Sequence, residues 1–187
     1  MAARVSRIRR ASAAGLDLGE AFREAMSHLA ATVVMVTTKI DGKPWALTIS
    51  ACCSVSANPP MILISLGSGT ASAEAIREQG FFGVSILGQH QLEAARAGAL
   101  PGVPKFAERF CRPEDVEGEP ADGSTRTPVL QGAVAHLDCR VARTVDVADH
   151  TVFFAEVRDV VLSPGVPPLI YWGRDYTAIE RGDPWYS

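Results

Sequence analysis

The segment T-I-S-A-C-C-S-V-S-A-N-P-P, Thr48 to Pro60, places hydroxyl groups at 48, 50, 54 and 56. All four positions are even, so an uninterrupted strand presents them on one face. A row of hydroxyls followed by turn amides suits a phosphate or a heteroaromatic edge that needs several hydrogen-bond donors. The same pattern also fits the wet side of an amphipathic strand. G-S-G-T-A-S, Gly67 to Ser72, follows an apolar run and precedes a helical one. Glycine lets backbone approach a ligand, and a helix N-terminus favours an anion. An ordinary strand-to-helix turn capped by Ser72 reads equally well. His150 follows Asp149 in V-D-V-A-D-H-T. A histidine at a strand mouth can hydrogen-bond a ligand or move a proton, or simply hold a turn.

Other chemistries find no support. G-x-S-x-G, H-E-x-x-H, G-x-G-x-x-G and P-loop patterns are absent, and no Ser/His/Asp order is usable. Cys52, Cys53, Cys111 and Cys139 form no C-x-x-C and no zinc spacing with histidine, so no metal is expected. Adjacent strand residues point to opposite faces, so Cys52 and Cys53 are read as unbridged. With no secretory h-region, free thiols in a cytoplasmic location are the expectation. His28, His90 and His136 read as surface residues.

Elements must position these groups. Phe22, Ala25, Met26 and Leu29 form one apolar stripe on a helix over Leu18–Ala30, with Asp17 as N-cap. The β-branched run Thr32–Thr38 reads as a strand, Asp41-Gly42 as a hairpin turn and Trp45–Ala51 as the return strand. Met61–Leu66 and Phe81–Leu87 read as further strands, with short helices at Ser72–Gln79, ended by Gly80, and His90–Ala97. Residues 98–127 are rich in Gly, Pro and acids and read as a long loop, with one helical turn at Lys105–Arg109. Its acids, Glu114 to Asp122, read as a solvated face. In Val134–Val141, His136, Asp138 and Arg140 alternate with Leu137, Cys139 and Val141, which predicts one wet face. Thr151–Leu162 and Pro168–Trp172 complete about seven strands. The absence of regular βαβ alternation favours an antiparallel barrel with two or three appended helices.

The chain has 187 residues, 47% hydrophobic and 21% charged, at net charge −3. Residues 1–16 carry Arg4, Arg7, Arg9 and Arg10 and no acid, leaving the remainder with 14 basic and 21 acidic residues. This predicts a basic arm over 1–16 and a single domain over 17–187. An acidic body argues against nucleic acid, and no apolar run approaches the roughly 20 residues of a membrane span.

Taken in order, F-R-E-A-M-S-H-L-A-A-T-V-V-M-V-T-T, D-G-K-P-W-A-L-T-I-S-A-C-C-S-V-S-A-N-P-P and F-F-G-V-S-I-L resemble the short flavin reductases of two-component flavin monooxygenases. Lys105-Phe106, Asp149-His150, Glu156-Val157 and P-L-I-Y-W-G-R-D-Y (Pro168–Tyr176) extend the resemblance to about Ile179. It implies an α+β, mainly β, antiparallel Greek-key split barrel of the FMN-binding type with a few short flanking helices. It also implies a homodimer. By the same resemblance Thr48, Ser50, Ala51, Cys52, Cys53, Ser54 and Ser56 hold the flavin ring and its phosphate arm. Thr70 and Ser72 lie near the flavin phosphate, and Lys105 and Phe106 belong to the cofactor site. His150 positions nicotinamide, and Tyr171 and Tyr176 complete the carboxy-terminal part. The implied activity is hydride transfer from NADH or NADPH to FMN or FAD, with reduced flavin diffusing to a separate monooxygenase. A flavoenzyme of the same fold that retains its flavin and oxidises a small organic substrate, or a flavin carrier, are the alternatives. The chain departs from the family at Thr32, Ala148 and Ala155, where glycine is usual, and at Ser85, where asparagine is usual. An added Cβ at the glycine positions is expected to narrow the nicotinamide or flavin space.

Overall fold

The computed structural model describes Gly15, residues 17–107, Cys111, and residues 127–163 and 165–179. The expected basic arm (Gly15 aside) and the acid cluster between 114 and 122 lie outside the described residues. The described residues form three helices and ten strands; the strands beyond those expected are Ala31–Thr32, Cys52–Ala57 and Asp175–Ala178, the first and last of which build a small second sheet with Leu169–Trp172.

Helix α1 (Leu18–Ser27) starts at Asp17, whose carboxylate accepts the Glu20 amide while Glu20 reaches back to the Asp17 amide. This capping box satisfies two amides that the first turn leaves unpaired. Its apolar stripe is exposed, and no residue of α1 is buried. The helix is tied to the body near its end, where Gly173 N–H donates to the Ser27 carbonyl and Arg174 pairs with Glu24 at 2.8 Å.

The strands are β1 (Ala31–Thr32), β2 (Val34–Ile40), β3 (Lys43–Ile49), β4 (Cys52–Ala57), β5 (Pro60–Gly67), β6 (Phe81–Ile86), β7 (Ala135–Val147), β8 (His150–Leu162), β9 (Leu169–Trp172) and β10 (Asp175–Ala178). Asp41 and Gly42, at φ 52° and 75°, make the β2–β3 turn, the left-handed pair that matches strand twist. Seven strands form one antiparallel sheet in the order β3-β2-β6-β7-β8-β5-β4. The hairpins β2–β3 and β4–β5 flank the β6–β7–β8 meander, a Greek-key arrangement.

β3 and β4 follow each other in the chain yet stand at opposite ends of the sheet order. Both reach one core: Leu47 and Ile49 from β3 and Cys52 from β4 pack with Val34, Ile64, Phe82 and Phe153. The sheet therefore rolls into a barrel with a seam between β3 and β4, joined only at the Ser50–Ala51 corner.

Helix α2 (Ala71–Gln79) inserts Ala73 and Ile76 into this core. Its N-cap is Thr70, not Ser72 as expected; the Thr70 hydroxyl accepts the Ala73 amide. Gly80 ends it at φ 76°, a left-handed C-cap suited to glycine. Helix α3 (Leu92–Ala99) and the β1-β9-β10 sheet cover the outer side of β2 and β3. There Val33, Met35, Ala46, Ala94, Ala95 and Leu169 form a second core, with Tyr171 and Tyr176 packed against it.

The wet face expected on β7 is corrected at two positions. Arg140 is exposed, but His136 and Asp138 are 3% and 4% exposed. Thr127 and Leu130, which bond to this buried cluster, lie far from β6 in sequence. Period-two reading cannot see such a cover, because it comes from outside the strand.

Candidate functional site

Thr48 and Ser50 sit at the end of β3 beside a cleft of about 210 Å³, lined also by Val33, Ile49, Ala99, Tyr171 and Tyr176. Register explains the arrangement. Met35 opposes Thr48 and belongs to the outer core, so Thr48 faces α3, and its hydroxyl donates to the Ala95 carbonyl at 2.8 Å. β1 pairs with β9 and brings Val33 under Tyr171. Tyr176 lies directly across from Tyr171 in the β9–β10 pair, and their rings meet edge to face at 5.3 Å. Burial holds the Tyr176 hydroxyl above its ordinary pKa, with Tyr171 beside it acting in the same direction. The Tyr176 phenol thus stays a hydrogen-bond donor. The cleft so combines an aromatic wall, apolar sides and hydroxyl donors.

The expected single face of hydroxyls does not form. The strand breaks at Ser50–Ala51, and the β4–β5 register shifts between Ser54 and Ser56. Cys52 and Ser54 oppose Ile64 and Ile62, which point into the barrel; Cys53 and Ser56 oppose Leu63 and Met61, which point out. Ser54 therefore stands on the seam side and Ser56 on the outer side. The Ser56 hydroxyl accepts the Asn58 amide within its own turn. The Ala51 carbonyl accepts the Ser65 amide and pins the corner. β4 is the last strand of its sheet, so its far edge has no strand partner among the described residues. Burial, with Cys53 alongside, pushes the Cys52 thiol up to about 11. The Cys52 thiol is thereby not activated as a nucleophile.

A second group gathers where α2 meets the β7–β8 turn. His150 pairs with Gly67 across β8 and β5, and the Asp149 carbonyl accepts the Ser68 amide. The Thr151 hydroxyl bonds the Ser68 and Asp146 side chains, and Arg77 holds Asp146 at 2.6 Å. His150 is exposed, its Nδ1 2.8 Å from the Asp149 carboxylate. That bond is the main reason the Asp149 pKa is lowered. Thr70 bonds the Gly67 carbonyl, and Ser72 is buried and accepts Trp45 Nε1–H at 3.1 Å.

Trp45 also anchors the Lys105–Phe106 pair. Phe106 bridges to Trp45, and the two rings meet edge to face at 5.0 Å. Ala46 N–H donates to the Lys105 carbonyl and Ala107 N–H to the Pro44 carbonyl. Lys105–Ala107 are thus extended along β3, so the expected helical turn does not begin at Lys105; residues 108–110 lie outside the described residues. The Lys105 ammonium donates to the Leu100 carbonyl, and desolvation lowers its pKa.

The expected residues accordingly form two groups. Thr48, Ser50 and the two tyrosines share the cleft, while Thr70, Ser72, Lys105, Phe106 and His150 cluster toward the α2 end. Trp45 and Ser50 are five residue steps apart, about 17 Å by strand rise. Sequence reading missed Val33, Ile49, Ala99 and Trp45. Ala99 fell in the stretch read as loop because Gly98 reads as a helix stop, and nothing marked Trp45. Among the glycine replacements, Ala155 is fully buried in the barrel core opposite Ile62. Its Cβ fills barrel interior and does not narrow the cleft.

An antiparallel split barrel with a cleft on its outer β3 face defines the class of protein. The comparisons agree. The flavin reductase like domain matches residues 26–180, and the chain belongs to that family. It is 35% identical over 162 residues to the FMN reductase (NADH) RutF of Ancylobacter novellus, covering 86% of this chain and 84% of that one. It is 35% identical over 159 residues to the reductase component of 4-nitrophenol 4-monooxygenase/4-nitrocatechol 2-monooxygenase from Rhodococcus opacus, covering 85% and 80%. The solved flavin reductase PheA2 superposes with TM-score 0.72 at 30% identity, over 89% of this chain and all of that one.

Proposed function

We propose that this chain is an NADH-dependent flavin reductase that reduces FMN or FAD and supplies the reduced flavin to a separate monooxygenase. The observation that carries the reading is the seam. The segment assigned to flavin, Thr48–Ser56, turns the corner between its two lips, and one lip opens on the tyrosine-walled cleft. The donor set fits a flavin: an aromatic wall for a flat ring, hydroxyls for its polar edge, and the first-turn amides of α2, after its Thr70 cap, for a phosphate.

When bound, flavin supplies the hydride-accepting ring and NADH the hydride. The residues of this chain bind and align. Ser50 and Ser54 are exposed at the corner and on the seam side of β4, and offer hydroxyl donors. Thr48 donates its hydroxyl proton to Ala95 and keeps lone pairs to accept. His150, fixed by Asp149, orients nicotinamide by hydrogen bonding. Hydride transfer between aligned rings needs no general base, which suits a site without a catalytic triad. Use of NADPH is the finer question of the same test.

The reading includes a homodimer. The outer side of β5 and β8 places Leu63 opposite Phe154, with Val152 beside them, while α2 among the described helices packs into the barrel core instead. Arg143 lies opposite Phe154, and Glu156 with Arg158 stands alongside, so a second copy offers charges of both signs to this face. No described helix is long and apolar enough to cross a membrane. Four free cysteines suit a reducing compartment, the cytoplasm.

The test is anaerobic bleaching of FMN and FAD, each with NADH and with NADPH. Bleaching that needs added flavin is expected. A permanently yellow protein that no nicotinamide bleaches would overturn the reading.

A further inference from the structure

His136 is a buried histidine with both ring nitrogens engaged. Nδ1 lies 2.9 Å from the Ser85 hydroxyl and Nε2 2.9 Å from the Thr127 hydroxyl. The Ser85 oxygen also accepts the Leu130 amide at 3.3 Å. Gly83 makes room for this cluster. A Cβ there meets Thr37 Oγ1 at 2.3 Å, His136 Cε1 at 2.4 Å and Thr127 Oγ1 at 2.6 Å. The cluster thus fastens the 127–130 segment onto β6 and β7.

Two connections lead from this segment to the candidate site. Gln131 accepts the Gln91 side-chain amide through its carbonyl. Gln91 is the N-cap of α3, the helix that holds Thr48 through Ala95 and lines the cleft with Ala99. Leu130 bridges Cys111, whose amide donates to the Ala107 carbonyl. Ala107 ends the extended Lys105–Ala107 ledge along β3.

We propose that His136 is a positioning residue for the reductase site: clamped between Ser85 and Thr127, it fixes the segment that holds both α3 and the Lys105–Ala107 ledge against β3. This rests on the flavin-reductase reading for its functional consequence, but the clamp is measurable without flavin. Burial keeps the ring neutral, its pKa lowered to about 4, with Asp138 on its own strand and Asp159 on β8 opposing that shift. A ring released by opening of the clamp takes a proton at its ordinary value near 6.5. Opening therefore grows easier by up to about tenfold per pH unit as pH falls from about 6.5 to about 4.

The experiment compares wild type, His136→Phe, His136→Gln and Ser85→Ala by amide hydrogen exchange and by flavin titration. In His136→Phe, protection of the Leu130, Ala46 and Ala107 amides is expected to fall at least tenfold, with β5 and β8 amides within twofold. Flavin Kd rises about three- to tenfold, while kcat at saturating flavin stays within twofold. His136→Gln recovers part of the loss by keeping a donor toward Thr127. The wild-type pH dependence of Leu130 protection disappears in His136→Phe. A lowered Tm with unchanged Ala46 and Ala107 protection overturns the proposal, and so does lost protection with unchanged flavin Kd. If His136→Phe does not fold, Ser85→Ala, which removes the bonds to His136 Nδ1 and to the Leu130 amide, decides by Ala46 and Ala107 protection and flavin Kd. Failure of the wild type itself to bind flavin sinks the flavin reading, and exchange still decides whether the clamp exists.

Discussion

Ala148 takes a φ of 51° in the turn between β7 and β8. That region costs an L-residue roughly 1–2 kcal/mol. Glycine removes this strain but adds unfolded-chain freedom of roughly 0.4–1 kcal/mol. The relief of strain outweighs the added freedom, so Ala148→Gly should raise Tm by about 1–4 °C, read by thermal unfolding. The same turn presents His150, so improved KM for NADH alongside would tie the strained alanine to the nicotinamide side. Ser54 and Ser56 now part ways. Ser54 stands on the seam side with an exposed hydroxyl, and Ser54→Ala should weaken flavin binding by roughly 1–2 kcal/mol. The Ser56 hydroxyl is occupied by the Asn58 amide, so Ser56→Ala should leave flavin affinity nearly unchanged. Fluorescence titration separates them, and the reverse order of effects would reassign the seam.

Gly98 in α3 sets helix propensity against packing. Alanine is favoured over glycine by about 1 kcal/mol in a helix interior. A Cβ at 98, however, meets Thr48 Oγ1 at 2.3 Å, Met35 Cε at 2.6 Å and the Thr48 backbone nitrogen at 3.0 Å. Met35 can shift, but the β3 backbone cannot, and overpacking of this kind costs roughly 1–3 kcal/mol. Gly98→Ala should therefore destabilise the protein and weaken flavin binding, because Thr48 moves with β3. Urea unfolding and flavin titration read both, and a stabilised variant with intact affinity would show that α3 stands off β3. Elements of this kind were legible where local chemistry decides them: the Asp41-Gly42 turn, the Asp17 and Gly80 caps, and the β-branched runs. The break at Ser50–Ala51 and the bulge at Val55 were not, since no glycine or proline lies between Thr48 and Asn58. The hydroxyls were correctly singled out, but their faces depend on which strands β3 and β4 pair with. His136 was misread for the same reason, its cover coming from residues 127–130.

At the scale of the whole molecule, buried titratable groups bound the stable pH range. His136 is neutral when folded, its pKa lowered to about 4, so its stability contribution is complete above about 6.5 and is lost as pH falls toward 4, by on the order of 1 kcal/mol per unit. Cys52, raised to about 11 by burial, acts oppositely: its contribution holds below the ordinary thiol pKa and is lost as pH rises through about 11. Urea midpoints at pH 7, 6 and 5 should fall in order for wild type and flatten in His136→Phe. The remaining surface is the sheet face whose cover lies outside the elements of the described residues. β5 is apolar on both faces, with Ile62, Ile64 and Leu66 inside the barrel and Met61 and Leu63 outside. Strands of that composition are ordinarily covered on both sides. At about 4.8 Å between strands and 3.3 Å per residue, the outer face of β4, β5, β8 and β7 spans roughly 500 Å² in projection, near one partner's share of a standard interface once side-chain relief is added. Phe154 lies on this face, between Leu63 on β5 and Arg143 on β7. Phe154→Arg faces the substituted guanidinium toward its own copy across a two-fold axis, where like charges repel and no carboxylate is added. Sedimentation should show a dimer for wild type at micromolar concentration and a monomer for the variant, with unchanged far-ultraviolet circular dichroism. A wild-type monomer, or a variant that stays dimeric, would remove this face from the assembly.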